Sequence, residues 1–322
     1  MDNKAKDEMY MRRCIQLAKN GLLSTRPNPM VGAVIVCEDR IIGEGYHIRC
    51  GEGHAEVNAF ASVRDEDSRL LPCSTIYVSL EPCAHYGKTP PCADLIVSKG
   101  VRRVVVGCVD PFAKVQGRGI ERIRRAGIEV TVGVLERECR ELNRRFFTFN
   151  TMHRPYVILK WCMTADGFLD DNFRQVALSS PFTMMLSHKL RAENDAILIG
   201  RVTDERDRSR LDVRHWTGSN PMRIVIDRSK PCFPEIDFSG NVVPQILDCL
   251  YRRGVQSLIV EGGAVTHNSF IGAGLWDEIR MEMSPVTSGG GTKAPQVPAG
   301  AVTVSRREYD GNVIINMRKG GE

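Results

Sequence analysis

Short apolar runs alternate with stretches of helical spacing along this 322-residue chain, and they do so in two successive series. The first opens with DEMYMRRCIQLAKNG (residues 7 to 21), where Met11, Cys14, Ile15 and Ala18 share a helical face and Gly21 supplies a stop. Two strands follow, about Met30–Cys37 and Ile41–Tyr46, joined by the polar turn Glu38-Asp39-Arg40. HAEVNAFASV reads as a helix from near His54, STIYVSLEPC as a buried strand, and CADLIVSKG as a helix ending at Gly100. VRRVVVGCVDP is a strand, GRGIERIRRAG a helix stopped by Gly127, and IEVTVGVL a further strand. ERECRELNRRFFTFN reads as one basic helix leading out. Such alternation predicts α/β/α layers.

The second series starts after His153-Arg-Pro155. YVILKWCM is a strand, SPFTMMLSHKLRAEN a helix with a serine or proline start, and DAILIG, MRIVID, SLIVEGG and IRMEMSP are strands. The pattern predicts a second α/β domain and a boundary near residue 150, giving domains 1–150 and 151–322, each long enough to bury its own core. No internal repeat or low-complexity tract interrupts either series.

Composition narrows the function classes. With 42% hydrophobic and 26% charged residues the chain reads as a soluble globular protein. A net charge of +5 suits anionic small molecules as well as nucleic acid. No basic patch with interleaved aromatics stands out, which disfavours a nucleic-acid-binding or editing protein. The opening MDNKAKDEMYMRRC lacks a signal-peptide core, and no run of 18 apolar residues predicts a membrane helix. The eleven cysteines are scattered, so the expectation is a reduced, cytoplasmic protein whose thiols are mostly core residues.

Four residues break from that plain picture. His54-Ala-Glu56 opens a predicted helix, and Cys83 and Cys92 each follow a proline, with eight residues between them. One imidazole and two thiolates give three protein ligands and leave a fourth position for water, the arrangement of a catalytic zinc. Zinc lowers the pKa of bound water, so a hydroxide nucleophile forms near neutral pH. Glu56 is placed to carry protons between that water and a leaving amine. Zinc nucleobase deaminases show H-x-E followed by P-C-x-x-C. Here the cysteine spacing is wider. A lone histidine or cysteine would read as a packed side chain, but the combination at a strand-to-helix junction does not. A helix N-terminus at Cys92 would help hold a thiolate.

These residues stand within a larger pattern. Arg26-Pro-Asn-Pro-Met-Val-Gly-Ala33, His54-Ala-Glu56, Glu81-Pro-Cys83, His85-Tyr-Gly-Lys-Thr-Pro-Pro-Cys92, Gly117-Arg-Gly119 and Asn143-Arg-Arg-Phe-Phe147 carry it in the first half. Arg154-Pro-Tyr156, Lys160, Asp166-Gly167, Leu190-Arg-Ala192, Asp195-Ala-Ile-Leu-Ile-Gly200 and Glu261-Gly-Gly263 carry it in the second. Over nearly its whole length the chain resembles the bifunctional deaminase–reductase family of riboflavin biosynthesis. The resemblance implies a cytidine-deaminase-like α/β/α domain followed by a dihydrofolate-reductase-like α/β domain. It implies hydrolytic deamination of 2,5-diamino-6-ribosylamino-4(3H)-pyrimidinone 5′-phosphate, then NADPH-dependent reduction of the ribosyl group to a ribityl chain. It also implies zinc on His54, Cys83 and Cys92, with Glu56 as proton carrier, and a homo-oligomer, dimer or tetramer.

The wide spacing then has a task. Lys88 offers a point charge and Thr89 a hydroxyl to the substrate's phosphate; Gly87 permits close approach, and Pro90 and Pro91 stiffen the return to Cys92. Asn28 would hold the sugar or the pyrimidine edge, His47 would face the same pocket, and Asp110 matches a substrate position. The family often shows asparagine where this chain has Phe112.

In the second half no G-x-G-x-x-G fingerprint stands. By resemblance Cys162, Thr203, Asp207, Gly262 and Gly263 bind NADPH, the glycines letting backbone approach a phosphate. Arg191, Leu211, Arg214 and Glu261 match substrate positions, the arginines suiting the 5′-phosphate. Lys160 would stabilise charge or donate a proton; Lys160 and Asp166 read alternatively as a surface salt bridge. Ser209 stands where proline is common. Between Asp227 and Ser257 one helix stands where the family carries another strand, so a deaminase whose second domain serves only oligomerisation is the alternative reading.

Overall fold

The computed structural model describes residues 2–86, 90–112 and 116–320. The chain divides into two units, Met1–Met152 and His153–Glu322.

In the first unit the strands are β1 (Gly32–Cys37), β2 (Arg40–Tyr46), β3 (Thr75–Leu80), β4 (Arg103–Cys108) and β5 (Glu129–Val132), in the order β2-β1-β3-β4-β5. β1 runs antiparallel to β2 and β3, whereas β3, β4 and β5 are mutually parallel. The helices are α1 (Asn3–Ala18), α2 (Ala55–Ala61), α3 (Cys92–Lys99), α4 (Arg118–Arg125), α5 (Glu136–Leu142) and α6 (Arg144–Met152). Every residue of β1 is buried, because both faces of the sheet are covered. Ala33, Ile35 and Cys37 pack with Ala59 of α2, Ile96 of α3 and Ile123 of α4. Val34 and Val36 point the other way, toward Met11 and Cys14 of α1 and Cys139 of α5. The alternation along one strand thus builds two cores.

Two expectations shift here. α1 starts at Asn3 rather than near residue 7, because Asp2 caps it: its carboxylate accepts the Ala5 amide at 2.7 Å. The stretch read as one exit helix is broken at Asn143. That side chain, 3% exposed, accepts the Met30 amide and donates to the Met30 carbonyl, both at 2.8 Å. It ties the break between α5 and α6 to the segment Arg26–Met30.

The second unit contains β6 (Tyr156–Met163), β7 (Ala196–Gly200), β8 (Met222–Ile226), β9 (Ser257–Gly262), β10 (Glu278–Met283), β11 (Ala301–Tyr309) and β12 (Asn312–Lys319). Their order is β11-β12-β10-β6-β9-β7-β8. The central strands β10, β6, β9, β7 and β8 are parallel, and the hairpin β11–β12 adds antiparallel to β10. Its helices are α7 (Pro181–Ala192), α8 (Arg201–Asp207), α9 (Val242–Arg252) and α10 (Ala264–Gly272). α7 begins as expected: Ser180 caps it, accepting the Thr183 amide, with Pro181 at the first position. Val157, Leu159 and Trp161 pack on one sheet face with Ile246 of α9 and Phe270 of α10. Tyr156 and Ile158 pack on the other with Leu190 of α7. Between Asp227 and Ser257 only α9 is found, so β8 is the sheet edge. The β11–β12 hairpin, α8 and α10 are not anticipated by the sequence reading; β11 is exposed along most of its length and lacks the buried-strand signature.

Candidate active sites

Local backbone signals place the candidate metal ligands of the first unit. His54 is the extended residue that precedes α2, so its ring stands at the helix mouth, and Glu56 falls in the first turn, 3% exposed. Cys92 opens α3 after Pro91. Cys83 lies in the loop leaving β3, where the first amides of α3 hold it. Cys92 N–H donates to Cys83 Sγ at 3.3 Å, and Ala93 N–H to the Cys83 carbonyl at 3.1 Å. The two sulfurs approach His54 Nδ1 to 3.6 Å (Cys83) and 3.3 Å (Cys92), and all three ligand atoms lie within 4.8 Å of one another. Among the described residues this is the one such cluster. Its donor set, one imidazole nitrogen and two soft sulfurs converging on a point, fits zinc.

The electrostatics separate the members of the site. Burial drives the Glu56 carboxyl up to about 7, against the opposing pull of His54. A hydrogen bond from the Cys92 thiol lowers Cys83 to about 4, with His54 acting the same way, and Cys92 is correspondingly raised. His47 is 2% exposed, and burial disfavours its charged form. Its Nδ1 donates to the Gly53 carbonyl at 3.1 Å, which leaves Nε2 to accept from the Asn28 amide at 3.2 Å. The His47 and His54 rings meet edge to face at 5.3 Å. Asp110 is buried, its carboxyl pushed up to about 6 by that burial, and accepts the Phe112 backbone amide at 2.8 Å. Lys88 and Thr89, and Gly87 before them, lie outside the described residues.

Glu81 received no role from its sequence position. It is 4% exposed, and its carboxylate accepts four backbone amides: Asp110 (3.2 Å), Gly117 (2.9 Å), Gly119 (3.0 Å) and Ile120 (3.4 Å). It therefore fastens the start of the Cys83 loop to the Asp110 segment and the first turn of α4. Gly119 is required there, since a Cβ would lie 1.9 Å from the Pro82 carbonyl oxygen. The signal was present: an acidic residue directly after a buried strand must find partners.

In the second unit Lys160, Cys162, Thr203, Asp207, Glu261, Gly262 and Gly263 line one open cleft of about 1660 Å³. Glu261 is its electrostatic centre. Arg191 grips it through two hydrogen bonds, 3.0 and 2.7 Å, and Lys160 Nζ lies 3.9 Å away. Burial opposes ionisation of Glu261, but Lys160 and Arg191 outweigh it and hold the carboxyl at about 2. Lys160 is thus not the partner of Asp166, whose carboxylate accepts the amides of Ser288 and Gly289. The Thr203 hydroxyl sits 3.0 Å from where a Gly263 Cβ would be, so a side chain of α8 comes close to the backbone just after β9, beside the cleft. Arg191, Leu211 and Arg214 lie outside the cleft lining. Arg191 also donates to the Asp212 carbonyl, which His188 binds as well. Leu211 is 5% exposed and packs with Ile158, Leu190 and Ile197, which leaves only its backbone for a ligand. Arg214 pairs with the Asp212 carboxylate at 2.5 Å.

Comparison with known proteins follows the two units. The model of the cytidine and deoxycytidylate deaminase zinc-binding region matches residues 4–108, and that of the RibD C-terminal domain matches residues 155–307. The chain is 38% identical over 323 residues to riboflavin biosynthesis protein RibD of Aquifex aeolicus, covering 88% of each chain. It is 33% identical over 326 residues to that of Escherichia coli, covering 87% of this chain and 88% of the other. The crystal structure of a diaminohydroxyphosphoribosylaminopyrimidine deaminase/5-amino-6-(5-phosphoribosylamino)uracil reductase from Thermotoga maritima superposes with a TM-score of 0.89 at 34% identity, covering 99% of this chain and all of that one. The chain belongs to the RibD family of riboflavin-biosynthesis proteins, bifunctional enzymes that join a zinc-binding deaminase domain to a dihydrofolate-reductase-like reductase domain.

Proposed function

We propose that the first unit hydrolyses the amine of 2,5-diamino-6-ribosylamino-4(3H)-pyrimidinone 5′-phosphate, and that the second reduces the ribosyl group of the product to ribityl with NADPH. The observation that carries the first step is the convergence of His54 Nδ1 and two thiols beside a buried Glu56. His54, Cys83 and Cys92 would hold zinc, which when bound supplies a hydroxide nucleophile near neutral pH. Glu56, its carboxyl raised to about 7 by burial, takes up a proton as the carboxylate and returns it to the leaving amine. Asn28, oriented by His47, offers its side-chain carbonyl oxygen to the pyrimidine or sugar. Asp110 lines the same loop cluster, and Lys88 and Thr89 are assigned to the phosphate.

For the second step, Gly262 and Gly263 leave a cradle beside Thr203 that a Cβ would fill, which suits a cofactor phosphate; Asp207 and Cys162 line the same cleft. NADPH, when bound, supplies the hydride. Glu261 keeps Lys160 at the cleft floor, where the ammonium stabilises charge on the reduced sugar or donates its proton. Arg191 positions Glu261, and Arg214 is assigned to the 5′-phosphate with the Leu211 backbone nearby. The eleven free cysteines support a reducing, cytoplasmic setting. Val302 and Val304, exposed on β11, support a homo-dimer or tetramer, which sedimentation would test.

The deciding assay incubates the protein with the diaminopyrimidine with and without NADPH. Ammonia release in both arms and NADPH oxidation in one is expected. Ammonia release without oxidation leaves the deaminase alone; no ammonia from zinc-replete protein overturns the first step.

A further inference from the structure

After β6 the chain turns back at Asp171-Asn172-Phe173-Arg174. Arg174 N–H donates to the Asp171 carbonyl at 2.8 Å, and Asp171 N–H to the Arg174 carbonyl at 3.0 Å. Both central residues are left-handed, Asn172 with φ 47° and Phe173 with φ 70°. This is the pattern of a type I′ turn, whose central positions favour asparagine and glycine. Asn172 meets that preference. Phe173 does not: a bulky side chain there is strained, and strain of this kind collects at functional sites.

Core packing does not reward the strain, because Phe173 is 69% exposed. The turn is nevertheless pinned. Asp170 Oδ1 accepts the amides of Phe173 (3.1 Å) and Thr292 (2.8 Å), and its Oδ2 accepts the Thr292 hydroxyl at 2.7 Å. The Arg206 guanidinium lies 4.3 Å from the centre of the Phe173 ring and 3.9 Å from the Asp170 carboxylate. Arg206 belongs to α8, the helix that brings Thr203 and Asp207 to the cleft, and both Phe173 and Arg206 line that cleft. One face of the ring is therefore backed by a cation, and the ring itself stays accessible. An exposed aromatic held this way is a platform for another flat ring.

We propose that Phe173 stacks on a flat nitrogen heterocycle bound in the second unit's cleft, through the ring face that Arg206 leaves open. The assignment rests on reading that cleft as the reductase site. Two molecules in the proposed reaction carry such a ring: NADPH and the deaminated pyrimidine.

The test uses the full chain with Phe173→Gly and Phe173→Trp. Glycine removes the ring and gives the turn its favoured residue, so the unfolding midpoint followed by tryptophan fluorescence is expected to hold or rise, with ammonia release unchanged. Either the NADPH dissociation constant, titrated without pyrimidine, or the KM for the deaminated pyrimidine at saturating NADPH is expected to rise roughly tenfold in the glycine variant. Tryptophan, an equivalent platform, is expected to keep that constant near the wild-type value. A rise in the NADPH titration identifies the cofactor's ring; a rise confined to the pyrimidine KM identifies the substrate's. Both constants within about twofold of wild type would overturn the proposal, as would a lowered midpoint in the glycine variant, which would make the ring a packing element. Wild-type protein that neither binds nor oxidises NADPH would overturn the reductase reading first, and this assignment with it.

Discussion

Glu81 and Glu261 look alike in sequence: each stands at or just past the end of a largely buried strand, in YVSLEP and SLIVEG. Each is buried beside a catalytic site, and each resolves its burial differently. Glu81, in the deaminase unit, is satisfied by four neutral backbone amides. Glu261, in the reductase unit, is satisfied by two cations, Arg191 and Lys160. The first solution fixes the shape of a loop; the second fixes where charge sits in a cleft. At Glu56 burial outweighs the opposing pull of His54 and lifts the carboxyl to about 7, so it is the one of the three suited to exchange protons.

The largest expected effect comes from that contrast. Glu56→Gln is expected to keep zinc, measured by metal analysis, and to lose roughly 10²–10⁴ in ammonia release. Turnover near wild type would remove Glu56 from proton transfer. Glu261→Gln strands Lys160 and Arg191 and is expected to cost about 3–5 kcal/mol in the second unit. The three tryptophans, Trp161, Trp216 and Trp276, all lie in that unit, so their fluorescence reports its unfolding alone. Because the folded carboxyl is depressed to about 2, its stabilisation is present above the unfolded value of about 4.3 and is lost as pH falls toward 2. Wild type is expected to show that acid loss, and Glu261→Gln to lack it.

Glu81→Gln keeps the shape but turns an NH₂ group toward backbone N–H donors. The expected cost is about 1–3 kcal/mol in the first unit, with a raised KM for deamination and unchanged NADPH oxidation of supplied product. An unaltered KM would reduce Glu81 to a packing role. Phe112→Asn marks the lower end. The Asp110 carboxylate reads only the backbone amide at position 112, so deamination is expected to stay within about twofold.

These glutamates also explain what the sequence disclosed. Strand and helix alternation announced both sheets, and His54-Ala-Glu56 with two Pro-Cys pairs announced the His54–Cys83–Cys92 cluster, because two of its members are set by local signals: a helix mouth for His54 and a helix start for Cys92. The Arg191–Glu261–Lys160 cluster joins residues as far as 101 positions apart, and no spacing rule connects α7, β9 and β6. Family likeness named its members, but not that Arg191 is held by Glu261 or that Leu211 is core. The β11–β12 hairpin was missed because the alternating Val302 and Val304 of β11 are exposed and give way to the polar run Ser305-Arg-Arg-Glu308. Asn143 looked like one polar residue in a helix; only the fold shows its tie to Met30.

That tie has a consequence for the order in which the enzyme is made. The three candidate metal ligands are all present once the chain has reached Cys92 and α3 can form. The Arg26–Met30 segment, which carries Asn28 into the pocket, is anchored by a residue 113 positions later than Met30. During synthesis from the N-terminus, the metal-binding corner can close while the substrate wall is still waiting for α5 and α6. A nascent deaminase would hold its metal before it could choose what to deaminate.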